Sequence, residues 1–84
     1  MKPVRIYTTT YCGFCARAKE LLKSKGVAFE EVDVTGDDES RQQLVELSGG
    51  RKTVPQIFIG AVHIGGYADL ARLESDGKLN ALLA

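Results

Sequence analysis

Cys12-Gly13-Phe14-Cys15 stands where an apolar, strand-like segment hands over to an amphipathic helical one. Thiols at i and i+3 of a helix have Cβ atoms roughly 5–6 Å apart, close enough for a disulfide with little backbone movement. The first thiol falls at the helix N-terminus, where unpaired N–H groups and the macrodipole favour a thiolate. A pair that opens and closes, with one member activated, is an electron-transfer device. It also commits this part of the chain to a strand–loop–helix unit.

The rest of the pattern extends that unit. Val4 and Ile6 alternate with Arg5 and Tyr7, which predicts a first strand. Phe14, Ala18, Leu21 and Leu22 recur at helical spacing, and Gly26 stands as the C′ residue that ends the helix. Val27 to Val34 reads as a second strand, with a break in alternation at Glu30-Glu31 that predicts a bulge or early fraying. Thr35-Gly36-Asp37-Asp38 carries turn and N-cap chemistry. The helix after it is expected to turn Leu44, Val45 and Leu47 inward and to stop at Gly49-Gly50. Gln56 to Ile59 and Val62 to Ile64 predict two short strands joined by Gly60-Ala61 in a type II′ turn. Gly65-Gly66 breaks the chain again. Leu70 and Leu73 mark a third helix, closed by Asp76-Gly77, and Leu79, Leu82 and Leu83 mark a short helical tail. The order β-α-β-α-β-β-α implies a right-handed crossover between two parallel strands and an antiparallel hairpin. The expected fold is α/β, a mixed four-stranded sheet flanked by helices.

At 84 residues there is room for one domain and one modest core, so residues 1–84 are read as a single domain. Eleven basic residues balance eleven acidic ones, so no strong field draws the chain to nucleic acid or to a membrane. No apolar run reaches membrane-spanning length, and Met1-Lys2-Pro3 runs into the first strand with no signal-like apolar region. Two cysteines this close enclose too small a loop to staple a fold. A reducing, cytoplasmic setting fits them better. A structural zinc site needs four ligands, whereas this chain offers two thiols and one distant His63. That favours redox use of the pair over metal, apart from a metal shared between chains.

Three motifs together resemble a dithiol glutaredoxin of the short bacterial type: Tyr11-Cys12-Gly13-Phe14-Cys15, Thr53-Val54-Pro55-Gln56-Ile57-Phe58-Ile59 and Gly65-Gly66-Tyr67-Ala68-Asp69-Leu70. The resemblance runs nearly end to end. It implies a thioredoxin-like fold and a glutathione-dependent thiol-disulfide oxidoreductase acting on protein–glutathione mixed disulfides and protein disulfides, as a monomer. A ribonucleotide reductase is a family-level partner. It further implies that Cys12 is the nucleophile and Cys15 the resolving thiol. Pro55 is expected to be cis, turning the Val54 backbone toward glutathione beside Thr53. Gly66, Tyr67, Ala68 and Asp69 are expected to hold the γ-glutamyl end, through free N–H groups and the Asp69 carboxylate. Phe14 and Tyr67 are expected beside the cysteines, and Arg51 or Lys52 could supply charge for the glycyl carboxylate.

The sequence also departs from that family's common pattern. Thr9 stands where a lysine is frequent, Gly13 and Phe14 replace Pro-Tyr, and Ala68 replaces a polar residue. The Gly-Phe pair is similar to that of monothiol members that bridge an iron–sulfur cluster between subunits. A [2Fe–2S] dimer with glutathione is therefore the competing expectation, against a main reading with glutathione as co-substrate and no metal.

Overall fold

Alternation along Val4–Thr8 builds strand β1 at the centre of the sheet: Val4 and Ile6 are buried on one face and Tyr7 on the other. The computed structural model describes residues 1–84. After β1 come α1 (Gly13–Ser24), β2 (Glu30–Asp33), α2 (Asp38–Leu47), β3 (Gln56–Ile59), β4 (Val62–Gly65), α3 (Tyr67–Ser75) and α4 (Leu79–Leu83). The four strands lie in the order β2-β1-β3-β4. β1 pairs parallel with β2 and antiparallel with β3, and β3 pairs antiparallel with β4. This is the thioredoxin-like arrangement, a mixed sheet flanked by helices.

The main core gathers Val4, Ile6, Ile57 and Ile59 of the sheet with Ala18 and Leu22 of α1, Leu70 of α3, and Leu79 and Leu83 of α4. Tyr7, Val34 and Leu44 form a smaller core on the opposite face, under α2. The end of α1 is set by Gly26 at φ 70. Its N–H donates to the Lys23 carbonyl (3.0 Å) and the Val27 N–H to that of Leu22 (3.0 Å), the paired bonds of a Schellman stop. Asp37 caps α2, accepting from the Ser40 N–H (3.1 Å) and hydroxyl (2.9 Å). Gly60 alone of the β3–β4 turn has positive φ (57), as a type II′ turn requires.

Three sequence expectations are corrected. The second strand covers only Glu30–Asp33: Val27 still belongs to the helix stop, and Val34, whose N–H makes a last bond to the Thr8 carbonyl (2.9 Å), begins the turn and packs with Tyr7 and Leu44. Its pairing with β1 runs without a break at Glu30-Glu31. The irregularity falls in the hairpin instead, where Ile57 faces Gly65 but Phe58 faces His63, leaving Ile64 as the extra residue. Leu47 is 49% exposed rather than inward, because the short α2 buries Leu44 alone.

This topology decides where chemistry can sit. β1 ends at Thr8, β3 begins at Gln56 opposite Tyr7, and β4 ends at Gly65 opposite Ile57. The cysteine loop, the Thr53–Pro55 segment and the Gly65-Gly66 turn therefore converge on one end of the sheet.

Candidate functional site: a dithiol at a helix N-terminus

Cys12 is the N-cap of α1, extended at φ −105 and ψ 111. Its sulfur takes the place of the usual capping oxygen and accepts the Cys15 N–H at 3.1 Å. This arises because the strand–loop–helix pattern puts the first cysteine one residue before the helix and the second in its first turn. Cys12 is half-buried, whereas Cys15 is 1% exposed. Burial pushes the Cys15 thiol up to about 12, helped by its hydrogen bond with Cys12 and by the Cys12 charge. The two sulfurs are thus unequal: one is reachable and capped by N–H, the other is enclosed and holds its proton.

The Val54-Pro55 peptide is cis, and the Val54 carbonyl lies 3.6 Å from the Cys12 sulfur as acceptor of its thiol. Thr53 is exposed, Val54 half-buried and Pro55 buried. On the other side, Gly66 caps α3, and its N–H donates to the Asp69 carboxylate (2.9 Å). The first intrahelical bond of α3 runs from Leu70 N–H to the Gly66 carbonyl. The N–H groups of Tyr67, Ala68 and Asp69 precede it and have no partner within the helix. Gly65 holds φ +116, and a Cβ there would strike the Asp69 carboxylate; glycine lets the strand end run close beneath the helix start.

Phe14 is 58% exposed. Its ring stacks on Tyr67 (centroids 6.2 Å), while the Arg17 guanidinium sits 5.6 Å from the Phe14 centroid. The two rings therefore stack on each other and link α1 to α3. Arg51 reaches Asp69, with Nη1 3.8 Å from the carboxylate; Lys52 is exposed. Thr9, the position where lysine is frequent, is 6% exposed and its hydroxyl has no hydrogen-bond partner. No three His, Cys, Asp or Glu side chains come together as a metal site.

Sequence reasoning placed Gln56 only as a strand residue and His63 only as a distant candidate zinc ligand, and missed the contact between them. Gln56 is fully buried, donates to the Thr53 hydroxyl (3.2 Å) and faces the His63 ring nitrogen Nε2 (2.7 Å). The available signal was a glutamine opening an otherwise apolar strand directly after Pro55. A buried amide needs partners.

The glutaredoxin family model matches residues 4–64. A glutaredoxin of Pseudomonas aeruginosa is 52% identical over 84 residues, spanning 100% of this chain and 99% of that protein. This chain belongs to the glutaredoxin family. Among solved glutaredoxins, the solution structure of the Brucella melitensis protein is 53% identical with TM-score 0.86, covering 99% of this chain and 89% of that one. The crystal structure of a buckwheat glutaredoxin–glutathione complex superposes with TM-score 0.88 at 33% identity, covering 98% of this chain and 76% of its own. As a glutaredoxin with a Cys12–Cys15 dithiol, the chain has a fold consistent with thiol-disulfide oxidoreductase chemistry.

Proposed function

We propose that this glutaredoxin, a single domain over residues 1–84, reduces protein–glutathione mixed disulfides and protein disulfides in the cytoplasm, with glutathione as electron donor. The observation that carries the reading is the half-exposed Cys12 sulfur, which receives the Cys15 N–H at 3.1 Å and faces the Val54 carbonyl at 3.6 Å. A hydrogen-bond donor aimed at a sulfur on a helix N-terminus supports charge there.

In the first step the Cys12 thiolate attacks the glutathione sulfur of a mixed disulfide. The old S–S bond breaks, the protein leaves as a thiolate that takes a proton, and Cys12 carries glutathione. A second glutathione thiolate then attacks that bond, releasing glutathione disulfide and restoring Cys12. With a protein disulfide, Cys12 attacks one target sulfur and the other leaves as a thiolate; Cys15 then loses its proton and displaces the target, closing Cys12–Cys15, and two glutathiones reopen that bond and leave as glutathione disulfide. Part of what raises Cys15 is the Cys12 sulfur itself, after burial. A Cys12 bonded to a target carries no charge to oppose loss of the Cys15 proton.

Substrate contacts follow from the same surfaces. The Val54 backbone pairs with glutathione as an added strand would, next to Thr53 and Pro55. Gly66, Tyr67 and Ala68 offer N–H groups to the γ-glutamyl carboxylate, and Asp69 takes its amino group. Phe14 and Tyr67 wall the thiol. The superposition on a glutaredoxin–glutathione complex supports these assignments. A ribonucleotide reductase remains one candidate among protein targets.

The reading is tested by turnover of a glutathione mixed disulfide. Cys12→Ser should abolish it, whereas Cys15→Ser should retain it and lose only protein-disulfide reduction. Full turnover by Cys12→Ser would overturn the assignment. The competing reading, a [2Fe–2S] dimer, rests on the Gly13-Phe14 pair that is similar to that of the cluster-bridging monothiol members. One chain presents a single accessible thiol, so ligands would have to come from two copies and from glutathione. Anaerobic reconstitution with iron and sulfide should leave a colourless monomer; a brown, glutathione-dependent dimer would favour the cluster.

A further inference from the structure

On the sheet face away from the thiols, a line of side-chain hydrogen bonds leads back to the substrate loop. Gln56 is fully buried at the first position of β3, immediately after the cis Val54-Pro55 peptide. Its Nε2 donates to the Thr53 hydroxyl at 3.2 Å. Its other amide atom, Oε1, is 2.7 Å from His63 Nε2. With the amide N–H₂ turned to Thr53 the oxygen faces histidine, an arrangement that calls for the hydrogen on His63 Nε2 as donor.

His63 is itself held in place. It stands opposite Phe58 across the β3–β4 pair, and the two rings stack with centroids 4.9 Å apart. The Phe58 ring in turn meets Tyr7 edge-on at 5.8 Å. Each end of the line is thereby defined: a packed imidazole at one end, an exposed threonine hydroxyl at the other. With one of its two lone pairs occupied by the Gln56 amide, the Thr53 hydroxyl has its own hydrogen available to point outward.

We propose that His63 and Gln56 are positioning residues for substrate binding: the relay from His63 through Gln56 to Thr53 holds the Thr53–Val54–Pro55 segment in the orientation that receives glutathione. This rests on the glutathione reading of the site. Neither residue touches the reacting sulfurs. Losing one neutral hydrogen bond of the relay should weaken substrate binding about two- to tenfold and leave kcat within about twofold.

The test uses the full-length reduced protein with His63→Phe, which keeps a ring against Phe58 and removes the donor, and His63→Gln, which restores an amide donor. Gln56→Leu is a further variant whose folding is checked by circular dichroism; the half-buried His63 keeps the test open if that core variant does not fold. The backbone amide resonances of Thr53 and Val54, read on the free protein, test the relay by itself. Wild-type turnover of a glutathione mixed disulfide tests the functional reading by itself. The expected result is displaced Thr53 and Val54 resonances and a raised KM in His63→Phe, both reversed in His63→Gln, with a wild-type histidine protonated at Nε2. Unmoved resonances and unchanged KM in His63→Phe, or a neutral His63 carrying its hydrogen on Nδ1, would overturn the proposal.

Discussion

The N–H of Cys15 points at the sulfur of Cys12 across 3.1 Å, so the second cysteine contributes to the site through its backbone before it contributes through its thiol. Its own sulfur is 1% exposed and holds its proton up to about 12, mainly because burial penalises the charged form. One residue thus donates its N–H to its neighbour's sulfur while its own thiol stays protonated. A dithiol needs that asymmetry to start from one sulfur and finish with the other.

Gly13 is the first residue of α1, directly after an N-cap in extended conformation. A Cβ there would meet nothing within 4 Å. Proline is favoured at a first helical position, and an extended residue before it is what proline requires. Gly13→Pro should therefore stabilise the fold by about 0.4–1 kcal/mol, through fewer unfolded conformations. Urea unfolding of the reduced protein measures this; a loss of stability would show that the α1 start is not as open as the geometry indicates.

Gly65 behaves oppositely. At φ +116, with the Asp69 carboxylate in the way of any Cβ, Gly65→Ala should cost more than about 1 kcal/mol and push Asp69 away from the Gly66 N–H. A lower melting temperature together with a raised KM for the glutathione mixed disulfide is the expected pair of results.

Much of this was legible beforehand, and the misses have physical causes. Helix α1 and its stop could be read because Ala18, Leu22 and Gly26 each serve only one structural purpose. The site elements were legible because cysteine, proline and paired glycines carry strong backbone consequences. Tyr7 was harder: on a central strand covered on both faces, alternation no longer separates inside from outside, and Tyr7 is as buried as Ile6. Leu47 misled because a short helix packed on a small core has a narrow apolar stripe. The Gln56–His63 contact joins residues seven apart across a hairpin. It depends on register, which the bulge at Ile64 alters and composition does not reveal.

Glu31 ties β2 to α1 and β1. Its carboxylate accepts from Lys19 (2.9 Å) and from the Thr8 hydroxyl (2.7 Å). Lys19 first, then Thr8, hold its pKa below the usual 4.5. A lowered carboxylate pKa means the fold prefers the charged form. Its stabilisation is present above the unfolded value of 4.5 and is lost as pH falls through the lower folded value. Because both side chains are partly exposed, the gain is about 1 kcal/mol or less. Glu31→Gln should be slightly less stable than wild type at pH 7, and the gap should close as the solution is acidified through this range in urea-unfolding experiments.

The inequality of the two sulfurs is the central claim, and it is read most directly by brief alkylation of the reduced native protein at neutral pH followed by peptide mass spectrometry. Modification of Cys12 with Cys15 left free, and both labelled once the chain is unfolded, is the predicted result. Equal labelling of the two in the native state, or faster labelling of Cys15, would contradict it.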